Sequence, residues 1–145
     1  MNAWERFKKR FGPNAESEPE ALDEACFWKT DMHSHLLPGV DDGVKDADQT
    51  LACLQQLAAW GIRQVITTPH VSRDWYPNTS DTLRNGQATL QQLAEIHNVP
   101  IRIDVAAEYM LDDFFPSLLA EGDLLSFGAE RYVLIETGWA SAPNQ

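Results

Sequence analysis

Apolar positions recur along the chain with two alternating periods, about two and about 3.6 residues, and each switch between them predicts an element boundary. Met32 opens a short strand running into His33-Ser34-His35, and a loop rich in Gly and Asp follows. Asp46 or Asp48 can cap a helix with Leu51, Leu54, Leu57 and Ala58 on one stripe, which Gly61 ends. The β-branched run Arg63 to Thr68 predicts a second strand stopped by Pro69. Thr79 or Ser80 opens a helix with Leu83, Leu90, Leu93 and Ile96 inward, closed by Pro100. Ile101 to Val105 is a third strand, Asp112 to Ala120 a third helix in spite of Pro116, and Tyr132 to Glu136 a fourth strand. Strands and helices alternate through short connections, which predicts an α/β fold with a parallel sheet. Thr137 to Gln145 begin another connection with no helix to cover the last strand. A bare edge and an uncovered apolar face are expected there, as in a chain cut short.

The first eleven residues follow a different pattern. Trp4, Phe7 and Phe11 fall at helical spacing among Arg6, Lys8, Lys9 and Arg10, the only basic cluster in the chain. Such a helix can touch acidic lipid weakly at a membrane surface or lay its aromatics on the domain, and its shortness favours the second. Residues 12–20 carry Pro, Gly and acids without apolar periodicity and read as a linker. The expected organisation is therefore a basic amphipathic helix and acidic linker over 1–29, then one α/β domain over 30–145.

Composition narrows the function classes. With 145 residues, 43% hydrophobic and 23% charged, the chain suits one compact domain. No apolar run is long enough to cross a bilayer and no signal-peptide core opens the chain, so a cytoplasmic protein is expected. Twenty-two acids against 11 Lys and Arg give a formal charge of −11, which excludes general nucleic-acid binding. A phosphorylated substrate would need a local positive centre. Cys26 and Cys53 read as reduced, buried thiols. Neither has an arginine six positions later, where Met32 and Ala59 stand, so a cysteine-phosphatase loop is absent.

Candidate chemistry gathers where the predicted strands end. His33 and His35 close the first, His70 the second, Glu108 the third and Glu136 the fourth. In parallel α/β folds each strand delivers a side chain to a common mouth at this rim. Alternation puts Asp31, His33 and His35 on one face, where two imidazoles a pleat apart can chelate a cation. Asp41 and Asp42 follow on a Gly-flanked loop that can turn an acid back toward the mouth, or be an ordinary turn. Glu108 and Glu136 end apolar strands, where a carboxylate needs a donor, water or cation; a metal cluster would satisfy them together. His97 lies in the last turn of a helix and suits the macrodipole there, so it is not assigned as a ligand. In the loop after His70, Arg73 could meet phosphate and Trp75 or Tyr76 could stack on an aromatic group, or the loop could be pinned by its own aromatics.

Asp31-Met32-His33-Ser34-His35-Leu36-Leu37-Pro38-Gly39-Val40-Asp41-Asp42-Gly43, then Thr67-Thr68-Pro69-His70, Ala107-Glu108 and Leu134-Ile135-Glu136, together resemble the PHP superfamily of polymerase and histidinol phosphatase domains. The likeness is greatest to its capsule-type CpsB/YwqE tyrosine phosphatases. It implies the first half, about four βα units, of a distorted TIM-like (β/α)7 barrel. It also implies up to three divalent cations (manganese, iron or zinc), a metal-activated water, phosphotyrosyl protein as substrate and a role in capsule or exopolysaccharide biosynthesis. By position, His33 and His35 would bind the first metal, with Glu108 bridging to a second held by Glu136. Asp42 and His70 would hold the third, and Asp31 would orient an imidazole. A bacterial tyrosine autokinase would be the natural partner, and in the loop after His70 the candidate substrate contacts are Arg73 and Tyr76.

The resemblance also carries a deficit. A His-Pro-Glu-Arg and an Asp-x-His motif, usual in later strands of that family, do not occur here. Weak metal binding and little turnover are expected as a result. Two other functions stay open on the residues alone: a small-molecule phosphoesterase such as a histidinol phosphatase, and a non-catalytic remnant that binds a partner.

Overall fold

The computed structural model describes residues 29–138. The expected helix over 1–11, the linker, Cys26 and the final residues from Trp139 lie outside the described residues. The remainder is a mixed α/β domain of six strands and three helices, all ladders parallel. In chain order these are β1 (Thr30–Ser34), α1 (Ala47–Ala59), β2 (Gln64–Thr67), β3 (His70–Val71), α2 (Ser80–Ile96), β4 (Arg102–Val105), β5 (Glu108–Met110), α3 (Phe115–Glu121) and β6 (Leu134–Glu136).

The first two helices begin on capping side chains. The Asp46 carboxylate accepts from the Gln49 N–H at 2.9 Å and starts α1. At α2, Thr79 and Thr82 exchange side-chain and backbone bonds at 3.2 and 3.0 Å, a capping box with threonine in the glutamate's place. The third helix starts later than Asp112, because that side chain accepts from the N–H groups of Phe114 and Phe115 and leaves Pro116 in the first turn. Ile96 is a correction: it is 74% exposed, and Ala94 fills the inward position after Leu90. Counting 3.6 residues per turn from Leu83 carries Ile96 to the outer side. Cys53 also lies exposed on α1 rather than buried.

Two three-stranded sheets, ordered β1-β2-β4 and β3-β5-β6, replace the single sheet expected from four strands. Thr68-Pro69 separates β2 from β3, and Ala106-Ala107 separates β4 from β5. Proline contributes no N–H to a ladder, so the first break is chemically dictated. Strand-to-strand bonds persist through the break, from Ala106 N–H to Thr67 O at 2.9 Å and from Glu108 N–H to Pro69 O at 2.9 Å. His70 and Glu108 therefore open strands of the second sheet rather than closing strands of the first. In β1, Asp31 pairs with Val65 and Ser34 with Thr67, so Met32 and His33 together oppose Ile66. That bulge takes Asp31 out of phase with His33 and His35.

Leu37, Leu54, Val65, Leu83 and Ile103 lie fully buried between the first sheet and helices α1 and α2. Each such side chain stabilises the fold by roughly 1.5–3 kcal/mol relative to exposure. The outer edge of β4 is satisfied by α2: Gln87 donates to Ile103 O at 2.6 Å and Gln91 accepts from Ile103 N–H at 2.8 Å. No helix of the described residues is long and apolar enough to cross a membrane.

Tyr109 in β5 anchors the segment after α3. Its hydroxyl accepts the Leu125 N–H at 2.7 Å, and both residues are buried. Burial pushes the phenol pKa up, against the lowering effect of that bond. Tyr109→Phe should destabilise the fold by about 1–3 kcal/mol, because the Leu125 N–H loses its acceptor without gaining water. Urea unfolding should show a lower midpoint at unchanged slope. A loss below about 0.5 kcal/mol would mean that the bond is replaced locally.

Candidate metal centre

At the junction of the two sheets, side chains from four strands and one loop point toward each other. The bulge in β1 aims His33 and His35 at β5, and parallel pairing sets His70 beside Glu108. Two positions further along, Glu136 pairs with Met110. Glu108 is the hub. Its Oε2 lies 3.1 Å from His33 Nε2, 3.2 Å from His35 Nε2 and 3.6 Å from His70 Nδ1. His70 Nδ1 is also 3.5 Å from Glu136 Oε2, and its Nε2 is 3.5 Å from Asp42 Oδ1.

Three overlapping triads result, in each of which the potential ligand atoms lie within 4.8 Å of one another: His33, His35 and Glu108; His35, Asp42 and His70; His70, Glu108 and Glu136. All six residues expected to carry ligand chemistry are brought together. Glu108 is buried, whereas the Asp42 side chain is 66% exposed and closes the outer side.

The donor set suits divalent cations. His35 Nδ1 lies 2.7 Å from Asp41 Oδ2 and, facing an ionised carboxylate, is the donor of that pair; in the neutral ring Nε2 then keeps its lone pair toward Glu108. A lone pair and a carboxylate oxygen 3.2 Å apart repel unless a proton or a metal ion lies between them. Asp41, Asp42, Glu108 and Glu136 surround only three imidazoles, so the cluster favours positive charge, and imidazole with carboxylate is a common ligand set for transition-metal dications. The Asp41 hydrogen bond is the largest influence on His35 and raises its pKa despite burial, with the Asp41, Glu108 and Asp42 charges adding to it. Burial opposes ionisation of Asp41, yet bonds from His35 and from the Gly43 and His70 N–H groups outweigh it and hold its carboxyl below the usual range.

Asp41 corrects one expectation. Among the described residues no hydrogen bond joins Asp31 to an imidazole; the carboxylate in hydrogen-bond contact with one is Asp41. The resemblance singles out Asp42 of the Asp41-Asp42 pair as a ligand and gives Asp41 no role, and the residues alone do not tell which acid turns inward. Asn78 was missed entirely. Its amide donates to Val40 O at 3.0 Å and His70 O at 2.8 Å, tying the Asp loop to β3.

Beside the triads lies a depression of about 190 Å³ lined by Asp42, His70, Val71, Ser72, Trp75, Tyr76, Met110 and Glu136. The Tyr76 ring stacks on His70 with centroids 5.3 Å apart and planes 15° apart. Arg73 is not part of this wall; its guanidinium lies 4.8 Å from the Phe114 ring centroid. The loop is thus partly pinned by aromatics while Tyr76 faces the centre.

A family model described as capsular polysaccharide synthesis, CpsB/CapC, matches residues 29–142. The tyrosine-protein phosphatase YwqE of Bacillus subtilis (strain 168) is 28% identical over 114 residues, 79% of this chain and 45% of that protein. The tyrosine-protein phosphatase CpsB of Streptococcus pneumoniae is 26% identical over 108 residues, 73% of this chain and 44% of its own length. Among solved structures, crystal structures of YwqE and CpsB, described as unique metal-dependent tyrosine phosphatases, match with a TM-score of 0.71 at 28% identity. That match covers 79% of this chain and 46% of the other. The chain spans a little under half the length of the curated relatives it matches.

Proposed function

Because the chain belongs to the CpsB/CapC family of capsular polysaccharide synthesis proteins, we propose that it is a metal-dependent phosphoester hydrolase directed at phosphotyrosyl protein. The observation that supports this most is the convergence of His33, His35, Asp42, His70, Glu108 and Glu136 into overlapping triads beside an aromatic-walled depression. On this reading the two sheets are the first half of a distorted (β/α)7 barrel working in the cytoplasm, with a tyrosine autokinase as the partner.

His33, His35 and Glu108 would hold one manganese, iron or zinc ion, with Glu108 shared toward a second held by Glu136, and Asp42 and His70 a third. Divalent cations held there would supply an activated water near neutral pH and offset phosphoryl charge. The chain's own residues do the rest. Glu108 and the imidazoles would fix where the cations sit, and so where a phosphoryl group could dock, while Tyr76 and Trp75 offer faces for the aromatic leaving group. Arg73 would reach phosphate only by leaving Phe114.

In this assignment each imidazole gives its one lone pair to one cation, and no cation receives more than three ligands from the described residues. The described residues therefore leave coordination incomplete, and slow turnover is expected. The test is phosphate release from a phosphotyrosyl peptide, a phosphoseryl peptide and histidinol phosphate with added manganese. Slow, EDTA-sensitive release confined to the phosphotyrosyl peptide is the expected result. Preference for histidinol phosphate would replace the substrate class, and failure to retain any divalent metal would remove the hydrolase reading.

A further inference from the structure

We propose that Asp41 is the positioning residue of this centre: it fixes the tautomer of His35 and commits that ring's single lone pair to the cation site shared with His33 and Glu108. The inference rests on the metal reading above and adds an order of filling to it. The Asp41 side chain is wholly inaccessible to solvent. Its Oδ2 accepts His35 Nδ1–H at 2.7 Å and the His70 backbone N–H at 3.0 Å, while Oδ1 accepts the Gly43 N–H at 2.9 Å. Three donors from three segments thus converge on one carboxylate, and each would be left unsatisfied without it.

A neutral imidazole has one N–H and one lone pair. His35 belongs to two triads, and with Nδ1 donating to Asp41 only Nε2 remains, 3.2 Å from Glu108. Once Nε2 serves the His33 and Glu108 side, the triad with Asp42 and His70 loses one of its three donors. His70 is also claimed twice, through Nδ1 toward Glu136 and Nε2 toward Asp42, and among the described residues its ring has no comparable fixing partner. One site therefore fills first and tightest, and the others compete for His70.

The experiment uses the chain labelled with ¹⁵N and titrated with zinc. Long-range ¹H–¹⁵N spectra of the loaded protein should show His35 protonated at Nδ1 and metal-bound at Nε2. Calorimetry should resolve one tight zinc followed by weaker uptake. Asp41→Asn places an amide N–H₂ where an acceptor is needed, and should weaken the tight site about 10–100-fold and disturb the His35 tautomer. Metal-free circular dichroism monitors the variant's fold; if it does not fold, the parent spectrum alone decides. Zinc on His35 Nδ1 overturns the inference, as does an Asp41→Asn protein with unchanged affinity and tautomer. Zinc uptake with either of those outcomes leaves the proposed function standing, whereas no uptake by the parent chain overturns both.

Discussion

Glu108→Gln should strip the chain of divalent metal almost completely. A single oxygen of this carboxylate lies 3.1 to 3.6 Å from nitrogens of three different imidazoles, and two of the three triads contain it. The amide keeps the side chain's size but removes the negative charge, and one of its ends becomes an N–H₂ that repels a cation. The loss should exceed the roughly 10–100-fold typical of residues that only orient a ligand. Metal content after dialysis and manganese calorimetry would read it. Thermal unfolding in EDTA separates metal loss from damage to the fold. Retention of near-stoichiometric metal would show that Glu108 is a structural acid paired with the histidines and that the two triads containing it are not the cation sites.

Gly43→Ala should do comparable harm from outside the ligand set. A Cβ at residue 43 would lie too close to the His35 carbonyl oxygen and Cβ to coexist with them, and 3.0 Å from Asp41 Oδ1. The contact with His35 O is to backbone, so no side-chain rotation relieves it. Displacement of His35 would also strain the bond from the Val44 N–H to His35 O, 3.2 Å long here. A cost of about 1–3 kcal/mol in metal-free stability is expected from the crowding, together with loss of the tight metal site. Gly43 has an ordinary backbone φ, so the alanine variant tests space rather than conformational freedom. Wild-type zinc affinity in this variant would mean that the loop moves freely relative to His35.

Both variants probe features that differ in how far they were legible beforehand. The alternation of helix and strand and the cap at Asp46 follow from local rules, and so does the recurrence of His and acidic residues after apolar strand segments. Asp46 needed only an acid before a helical stripe, and Glu108 only the oddity of a carboxylate after Val105-Ala106-Ala107. The split into two sheets was not legible, because Pro69 announces a stop and gives no sign that the ladder resumes one residue later. The bulge at Met32 and His33 was likewise hidden. A strict two-residue alternation linked Asp31 to the histidines, and one extra residue broke that phase. The choice between Asp41 and Asp42 depends on a partner 29 residues away, the His70 N–H, which no local pattern encodes. Ile96 differs for a simpler reason: its apolar side chain suggests the inner stripe, but its angle around α2 carries it to solvent.

The short separators within the split strands have an evolutionary consequence. Thr68-Pro69 and Ala106-Ala107 are each two residues long, and together they hold His70 level with Glu108. One inserted or deleted residue in either would flip the downstream side chains to the opposite side and dismantle the cluster in a single genetic event. Length variation among descendants of this sequence should thus accumulate around exposed Arg73 to Trp75 and stay away from these two dipeptides.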